Sequence, residues 1–327
     1  MWLVSAGALI LLLTSAAVPS TFSVGAKAFF LLRSVNSEEE FNSVLSRAPP
    51  AAPVSDEVKR RVFALPQYRE ALERASHLPR TVDKAKLLMS ALGAKTVTER
   101  HCGDYVDIYD LLKVTSGGDG CCSDFARAMT ALSAVIDIRS RIVWTRNHGF
   151  VEFWGDRENQ WIFLDPTLGL MARREGRLLS ATELRRAIAE RREIEWETTS
   201  HNPYDGMKGS MVEYYQNPVA FDRLFVRADS QVFAHDAFER KMRWLPRGVR
   251  QALGMLAGQT PTAVALSDHP WRMRLLSWVV TGIALLTPLL FLFTTLRVLA
   301  ACWRAAYRTA AIEPEYASTV YNPVVRS

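Results

Sequence analysis

Residues 117–169 read GGDGCCSDFARAMTALSAVIDIRSRIVWTRNHGFVEFWGDRENQWIFLDPTLG, and this stretch decides the fold. After its glycine-rich start, apolar side chains recur at helical spacing, so we predict a buried helix that begins near Cys122. The residues that set this spacing are Phe125, Ala128, Met129, Leu132, Val135 and Ile136.

Beyond this helix the pattern changes from helical spacing to β-rich segments. Residues 141–144, 149–154 and 161–164 are predicted to be three successive strands, with polar turn residues between them. His148 and Asp165 then lie near the ends of neighbouring antiparallel strands, which are about 5 Å apart. We therefore expect a hydrogen bond between these two side chains, and the helix packed on the sheet would bring Cys122 to His148.

Cys122, His148 and Asp165 are the three side-chain types that nucleophilic catalysis by cysteine requires. A thiolate attacks an acyl carbon, an imidazole moves the proton, and a carboxylate orients the imidazole. A cysteine at a helix N-terminus also meets free backbone N–H groups and the positive end of the helix dipole, which favour the thiolate. The structural alternative is a cysteine that is merely a small buried apolar residue, beside an ordinary core histidine.

Three motifs in this order resemble the transglutaminase-like superfamily, a branch of the papain-like cysteine enzymes. The resemblance implies an α+β fold in which a nucleophile helix packs on an antiparallel sheet. It also implies that Cys122 is the nucleophile, His148 the base and acid, and Asp165 the orienting group. The motifs are Gly120-Cys121-Cys122-Ser123-Asp124-Phe125-Ala126, His148-Gly149-Phe150-Val151-Glu152-Phe153 and Leu164-Asp165-Pro166-Thr167.

The chain departs from the family pattern in three respects. Cys121 stands where the family tolerates many residues, so Cys121 is an alternative nucleophile. The segment from Cys122 to His148 is short for the family, and Gly149 replaces the commoner alanine. The upstream group that often completes the oxyanion hole is not assigned, and the candidates for oxyanion or substrate contacts are Tyr105, Tyr109, Asp119 and Gly120.

The four cysteines are Cys102, Cys121, Cys122 and Cys302. A Cys102–Cys121 disulfide is a hypothesis for a domain outside the cytosol, and it would leave Cys122 free. His101 and Cys102 with Cys121 could also be metal ligands, but their spacing is not that of a zinc site. We therefore predict no metal and no cofactor.

The 327 residues carry a net charge of +6 and a pI of about 9.2, and 49% are hydrophobic, which is ample for a core. The net positive charge is modest, and the sequence contains no recognisable nucleic-acid-binding motif. We read this charge as a membrane-protein bias or as a preference for a mildly anionic partner.

Two apolar segments suggest contact with a membrane. Residues 1–18 carry no charged side chain and resemble a signal-peptide core, and residues 275–296 are long enough to cross a bilayer. The predicted organisation is a signal peptide or N-terminal anchor, a linker, the transglutaminase-like domain, a basic amphipathic juxtamembrane region, a transmembrane helix and a short tail. These parts cover, in order, residues 1–33, 34–54, 55–230, 231–270, 271–301 and 302–327.

Arginines are frequent after Asp165, and a capping box at Ser180–Glu183 opens a predicted helix. They form either a solvated face or a basic lip that favours an anionic substrate or lipid headgroup. These arginines are Arg173, Arg174, Arg177, Arg185, Arg186, Arg191 and Arg192.

The sequence thus predicts a membrane-anchored acyltransferase or hydrolase that acts on an amide or ester of a peptide, protein or acylated glycan. Its location would be the bacterial inner membrane, with the domain facing the periplasm or the outside. One alternative is an inactive domain that serves as a binding scaffold, for example in envelope polysaccharide machinery. Another is a stalk in which Cys121 and Cys122 both form disulfides.

Overall fold

The computed structural model divides the chain into two compact units, residues 17–277 and residues 1–16 with 278–327. Most of the predicted signal or anchor segment and of the linker lies outside the described residues. The described residues are 33–35, 37–39, 41, 54–92, 107–145, 148–198, 213–227, 240–245, 263–267, 271, 275, 289–290, 292–304 and 307.

In the larger unit, four helices lie among the described residues between positions 54 and 116. Ser55 caps the first helix by accepting a hydrogen bond from the Val58 N–H, and Pro66 opens the second. From the sequence we expect a short helix over Tyr105–Leu112, but the helix begins at Ile108, because the Asp107 side chain caps it by accepting from the Tyr109 N–H at 2.8 Å. The helices are α1 Asp56–Phe63, α2 Pro66–His77, α3 Thr81–Ala91 and α4 Ile108–Ser116.

The nucleophile helix, α5, spans Cys122–Val135, and most of its residues are buried. Gly118 and Gly120 lie in the loop before it with φ values of 81° and 112°, a region that residues with a Cβ rarely adopt. This left-handed backbone turns the chain sharply into α5 and places the cysteine pair at the helix start.

A six-stranded sheet supports α5. Three consecutive antiparallel strands on one side of this sheet confirm the prediction: β2 Ser140–Trp144, β3 Gly149–Gly155 and β4 Gln160–Leu164. The remaining strands are β1 Arg33–Val35, β8 Arg223–Arg227 and β9 Ala263–Ser267, and the strand order is β1-β9-β8-β2-β3-β4. Neighbouring strands are antiparallel except for the β1–β9 pair, which is parallel.

Two further strands of the sheet lie where the sequence suggests other structures. The aromatic side chains within residues 193–235 suggest a flap or subsite near the cleft, yet β8, in this region, pairs with β2 inside the sheet. β9 lies in the predicted juxtamembrane region and pairs with β8, so the sheet extends beyond residue 230.

The two faces of the sheet bury different clusters. On one face, α5 packs on β2 and β3, and Ile142, Val151 and Phe153 join the apolar cluster of the helices. On the other face, Val143 and Phe150 join a cluster that includes α6, which spans Ala181–Ala189. A smaller sheet follows β4, with the order β6-β5-β7, formed by β5 Leu170–Arg174, β6 Arg177–Leu178 and β7 Glu195–Thr198.

The smaller unit is described mainly by residues 292–304, which are helical. Within the described part of the chain, no helix has both the length and the apolar character needed to cross a bilayer. Most of the predicted span over residues 275–296 lies outside that part, so this span stays a prediction.

Candidate active site

The two adjacent cysteines have different states. Cys121 precedes α5 as its N-cap and is disulfide-bonded. Cys122, the first residue of α5, is a free thiol and is partly exposed. This agrees with the hypothesis that Cys121 is paired and Cys122 free, and the suggested partner, Cys102, lies outside the described residues. The interpretation in which Cys122 also forms a disulfide is wrong, and Cys121 does not carry the free thiol that a nucleophile needs.

His148 and Asp165 are brought together by strand pairing, as the sequence predicts. β3 and β4 pair antiparallel with Val151 opposite Leu164, so the residue that precedes β3 and the residue that follows β4 lie at the same end of the hairpin. His148 Nε2 lies 2.7 Å from Asp165 Oδ2, and both side chains are buried. The imidazole is therefore held by a carboxylate that water does not reach.

The Cys122 sulfur completes this arrangement. It forms a hydrogen bond with the His148 side chain and accepts another from the Gly149 N–H. Since Nε2 of His148 is engaged by Asp165, Nδ1 is the nitrogen that faces the thiol. The structure thus places Cys122, His148 and Asp165 in one hydrogen-bonded chain.

Electrostatics favour the charged form of the Cys122–His148 pair. Burial opposes the thiolate, but the nearby His148 outweighs it and lowers the pKa of the Cys122 thiol. Burial likewise opposes the imidazolium, but the Asp165 charge and the Cys122 thiolate together raise the pKa of His148 to about 10. Both shifts favour the thiolate–imidazolium form of the pair over the neutral form.

The Asp165 carboxylate accepts four hydrogen bonds. Oδ1 accepts from the N–H groups of Thr167 at 2.9 Å and Leu168 at 3.3 Å. Oδ2 accepts from His148 and from the Tyr215 hydroxyl at 2.6 Å. Sequence reasoning missed Tyr215, because nothing local links a tyrosine fifty positions away to this aspartate.

The backbone turn before His148 is held by Thr145. The His148 carbonyl accepts from the Thr145 N–H at 2.9 Å and from the Thr145 hydroxyl at 3.3 Å. The same hydroxyl forms a hydrogen bond with Tyr214. The rings of Tyr214 and Tyr215 both lie edge-on to the His148 ring, with centroids 5.6 and 6.1 Å away.

Gly149 allows close approach of an aromatic side chain beside the thiol. It lies directly opposite Trp144 in the β2–β3 pair. A Cβ at Gly149 would lie 3.0 Å from Trp144 Cδ1 and 3.1 Å from Nε1. The Trp144 indole therefore occupies the space that an alanine methyl would need.

The other residues singled out from the sequence lie around this centre. Gly120 is buried in the loop before α5, whereas Asp119 is exposed and its carboxylate accepts from the Gly120 N–H at 2.7 Å. Tyr109 lies in α4, and the Arg61 guanidinium stacks 3.8 Å from its ring centroid. Tyr105 lies outside the described residues.

No metal site is formed by the residues that the structure describes. Among them, no group of three or more histidine, cysteine or acidic side chains could hold a metal ion. Of the suggested ligand set, Cys121 is disulfide-bonded, and His101 and Cys102 are not described.

Most of the predicted basic lip is neutralised by acidic neighbours. Arg186 and Glu38 form one of these ion pairs. Because the charges are offset, the arrangement favours a solvated face over a strongly cationic surface. Three further pairs are Arg173–Glu197 at 2.6 Å, Arg174–Glu175 at 3.1 Å and Arg177–Glu183 at 2.7 Å.

Comparison with known families covers the segment that contains this site. Residues 71–166 match the model of the transglutaminase-like superfamily. This segment is transglutaminase-like. The match extends from α2 through Asp165, so it includes the three hydrogen-bonded side chains and confirms the resemblance over these residues. No significant match was found among curated proteins or solved structures. Tyr214, Tyr215 and the strands β8 and β9 lie beyond the matched segment.

Proposed function

We propose that this protein uses Cys122 as a nucleophile to transfer or hydrolyse the acyl group of an amide or ester. The single observation that carries the proposal is the hydrogen-bonded chain from the free Cys122 thiol through His148 to the buried Asp165. Cys122 is also partly exposed, whereas a purely structural cysteine needs no contact with solvent.

In the first half-reaction, the Cys122 thiolate forms a bond to the carbonyl carbon, and the carbonyl π electrons move to oxygen. We propose that backbone N–H groups at the start of α5 stabilise this oxyanion. When the tetrahedral intermediate collapses, the C–N or C–O bond breaks and the His148 imidazolium gives its proton to the leaving group. The product is a thioester on Cys122 and a neutral His148.

In the second half-reaction, His148 removes a proton from water or from an amine as that nucleophile attacks the thioester. The bond to Cys122 breaks, and the thiolate–imidazolium pair is restored. Water yields a carboxylic acid, and an amine yields a new amide. Asp165 keeps its bond to Nε2 throughout, so Nδ1 remains directed at the reacting atoms.

We further propose that the protein works at a membrane, on the outer face of the bacterial inner membrane, on a peptide, protein or acylated glycan. The disulfide at Cys121 supports an oxidising compartment. The uncharged residues 275–296 support anchoring, as do the apolar side chains that the helix over residues 292–304 exposes to its surroundings.

The decisive experiment is alkylation of the full-length protein in its membrane with iodoacetamide at pH 6, followed by peptide mapping. Cys302, an exposed free thiol in the same chain, is the internal reference. An unperturbed thiol is less than about 1% thiolate at this pH, so we expect Cys122 to react at least about tenfold faster than Cys302.

The His148→Ala variant should lose this advantage and still fold. If Cys122 instead reacts no faster than Cys302 in the parent protein, the proposal is wrong and the domain is better explained as a binding scaffold. Once reactivity is established, a panel of amides and activated esters would define the acyl donor, with Cys122→Ala as the inactive control.

A further inference from the structure

The geometry points to Tyr215 as a positioning residue that acts on His148 through the shared carboxylate oxygen of Asp165. The inference rests on the proposed function, because it concerns the same thiol and imidazole. It adds a residue from outside the transglutaminase-like segment, which ends at residue 166.

The contact is direct and shielded from water. The Tyr215 hydroxyl donates to Asp165 Oδ2 at 2.6 Å, and both side chains are fully buried. The same oxygen accepts the His148 Nε2–H at 2.7 Å. Tyr215 and His148 therefore both donate a hydrogen bond to the same oxygen atom and share its negative charge. The donors to Oδ1 contact the other oxygen.

Tyr215 can serve only as a donor in this position. Burial and the adjacent Asp165 carboxylate hold the pKa of the Tyr215 hydroxyl well above its ordinary value of 10. The hydroxyl thus stays protonated over the whole working range. Its hydrogen bond draws negative charge away from the side of Oδ2 that faces the imidazolium.

This effect predicts a direction. Without the hydroxyl, Asp165 would attract the imidazolium more strongly and would also repel the Cys122 thiolate more strongly, so the thiolate would form at a higher pH. A more stable imidazolium is also a weaker acid, so it would protonate the leaving group more slowly. Tyr215 therefore keeps the proton of His148 transferable as well as holding the carboxylate in place.

The ring of Tyr215 has a separate packing role that can be kept constant. It lies against Phe163, Trp196 and Phe221, with centroids 5.6, 5.0 and 5.6 Å away. A Tyr215→Phe substitution retains these ring contacts and removes only the hydroxyl. The variant therefore separates the effect on Asp165 from the packing of the core.

The matched control is Tyr68→Phe. Tyr68 is also fully buried, and its hydroxyl donates to the Leu112 carbonyl at 2.8 Å, but it lies in the helical cluster and contacts none of the three site residues. Both substitutions remove a buried, hydrogen-bonded phenol oxygen. A general loosening of the core should affect the two variants alike.

The measurement is the pH dependence of Cys122 alkylation by iodoacetamide in the full-length protein, for the parent and both variants. We expect Tyr215→Phe to move the midpoint of thiolate formation to higher pH by about 0.5 to 1 unit, and Tyr68→Phe to leave it unchanged. With an acyl substrate, kcat should fall in Tyr215→Phe while KM stays within about twofold.

An unchanged or lowered midpoint in Tyr215→Phe, or equal shifts in both variants, would overturn this inference while the reactive Cys122 still supported the proposed function. An unreactive Cys122 in the parent would overturn both. If Tyr215→Phe does not fold, difluorotyrosine incorporated at position 215 keeps the phenol and strengthens it as a donor. The midpoint should then move to lower pH, and a shift to higher pH or no shift would contradict the inference.

Discussion

The imidazole Nε2 of His148 lies 2.7 Å from Oδ2 of Asp165, in a place where both groups are buried. This contact decides the charge of the neighbouring thiol. His148 keeps its proton up to a pKa of about 10, and its charge lowers the pKa of Cys122 below the usual 9.0. The reactive ion pair therefore exists above the Cys122 pKa and disappears as the pH rises through that of His148.

Replacing Asp165 with asparagine should narrow the pH range in which the ion pair exists, at both its acidic and its basic limit. Loss of the negative charge lowers the pKa of His148 and, through it, raises that of Cys122, each by about 1 to 3 units. Alkylation of Cys122 at pH 6 should slow by at least about tenfold, as measured by peptide mapping. Asp137→Asn is the control, because Asp137 is exposed and pairs only with Lys59 among the contacts described. An unaltered rate in Asp165→Asn would show that the carboxylate does not set the charge of the thiol.

The cysteine states predict a simple thiol count. The unfolded, unreduced protein should expose two thiols, Cys122 and Cys302, and the reduced protein all four. Peptide mapping should find Cys121 joined to Cys102, the partner predicted from the sequence. A Cys102→Ser variant should then expose Cys121, giving three thiols without reduction. Four thiols in the unreduced parent, or a bond between Cys121 and Cys122, would contradict the prediction.

The buried ion pair between Arg141 and Glu152 lies on the face of the sheet opposite α5. We predict that the protein loses stability when one partner of this pair is removed. Arg141 Nε donates to Glu152 Oε2 at 2.7 Å, and Oε1 of Glu152 accepts from the Ala181 N–H at 2.6 Å. Both side chains are almost fully buried. Glu152→Leu should therefore lower the free energy of unfolding by about 3 to 5 kcal/mol, because it leaves the guanidinium without its counter-ion.

The double variant Arg141→Met with Glu152→Leu should be less destabilised than the sum of its single changes, as measured by urea unfolding. Glu70→Gln removes one partner of the exposed Arg74–Glu70 pair and should have little effect. Additive losses in the double variant would mean that the Arg141–Glu152 attraction contributes little.

The Trp144 side chain is predicted to limit the size of the residue that position 149 can hold. Gly149→Ala places a methyl 3.0 Å from Trp144 Cδ1, which should lower the free energy of unfolding by about 1 to 3 kcal/mol. Trp144→Leu should relieve this close contact. The double variant should therefore lose less free energy of unfolding than the sum of the losses in the two single variants. Gly117→Ala is the control, because a Cβ at this position would meet the Val114 carbonyl oxygen at an ordinary 3.4 Å. Strict additivity would show that Trp144 does not limit the size of residue 149.

Much of the local structure around the site could be predicted, because helix and strand periods are properties of consecutive residues. The helix that begins at Cys122 and the strands β2, β3 and β4 follow from those periods. The predicted helix over Tyr105–Leu112 was displaced, since a side-chain cap at Asp107 outweighed the apolar pattern. The strands β8 and β9 were missed because they pair with residues far away in the chain, and local spacing carries no information on such pairing.

The sequence by itself determined that one of the adjacent cysteines supplies the thiol, His148 the imidazole and Asp165 the carboxylate, because their order and local context are those of a known family of motifs. Only the tertiary structure decided that Cys122 rather than Cys121 carries the free thiol, and that Tyr215 shares the Asp165 oxygen with His148. The physical reason is that a disulfide or a buried hydrogen bond depends on where two distant segments meet, and the folded sheet and its packed helices set that distance.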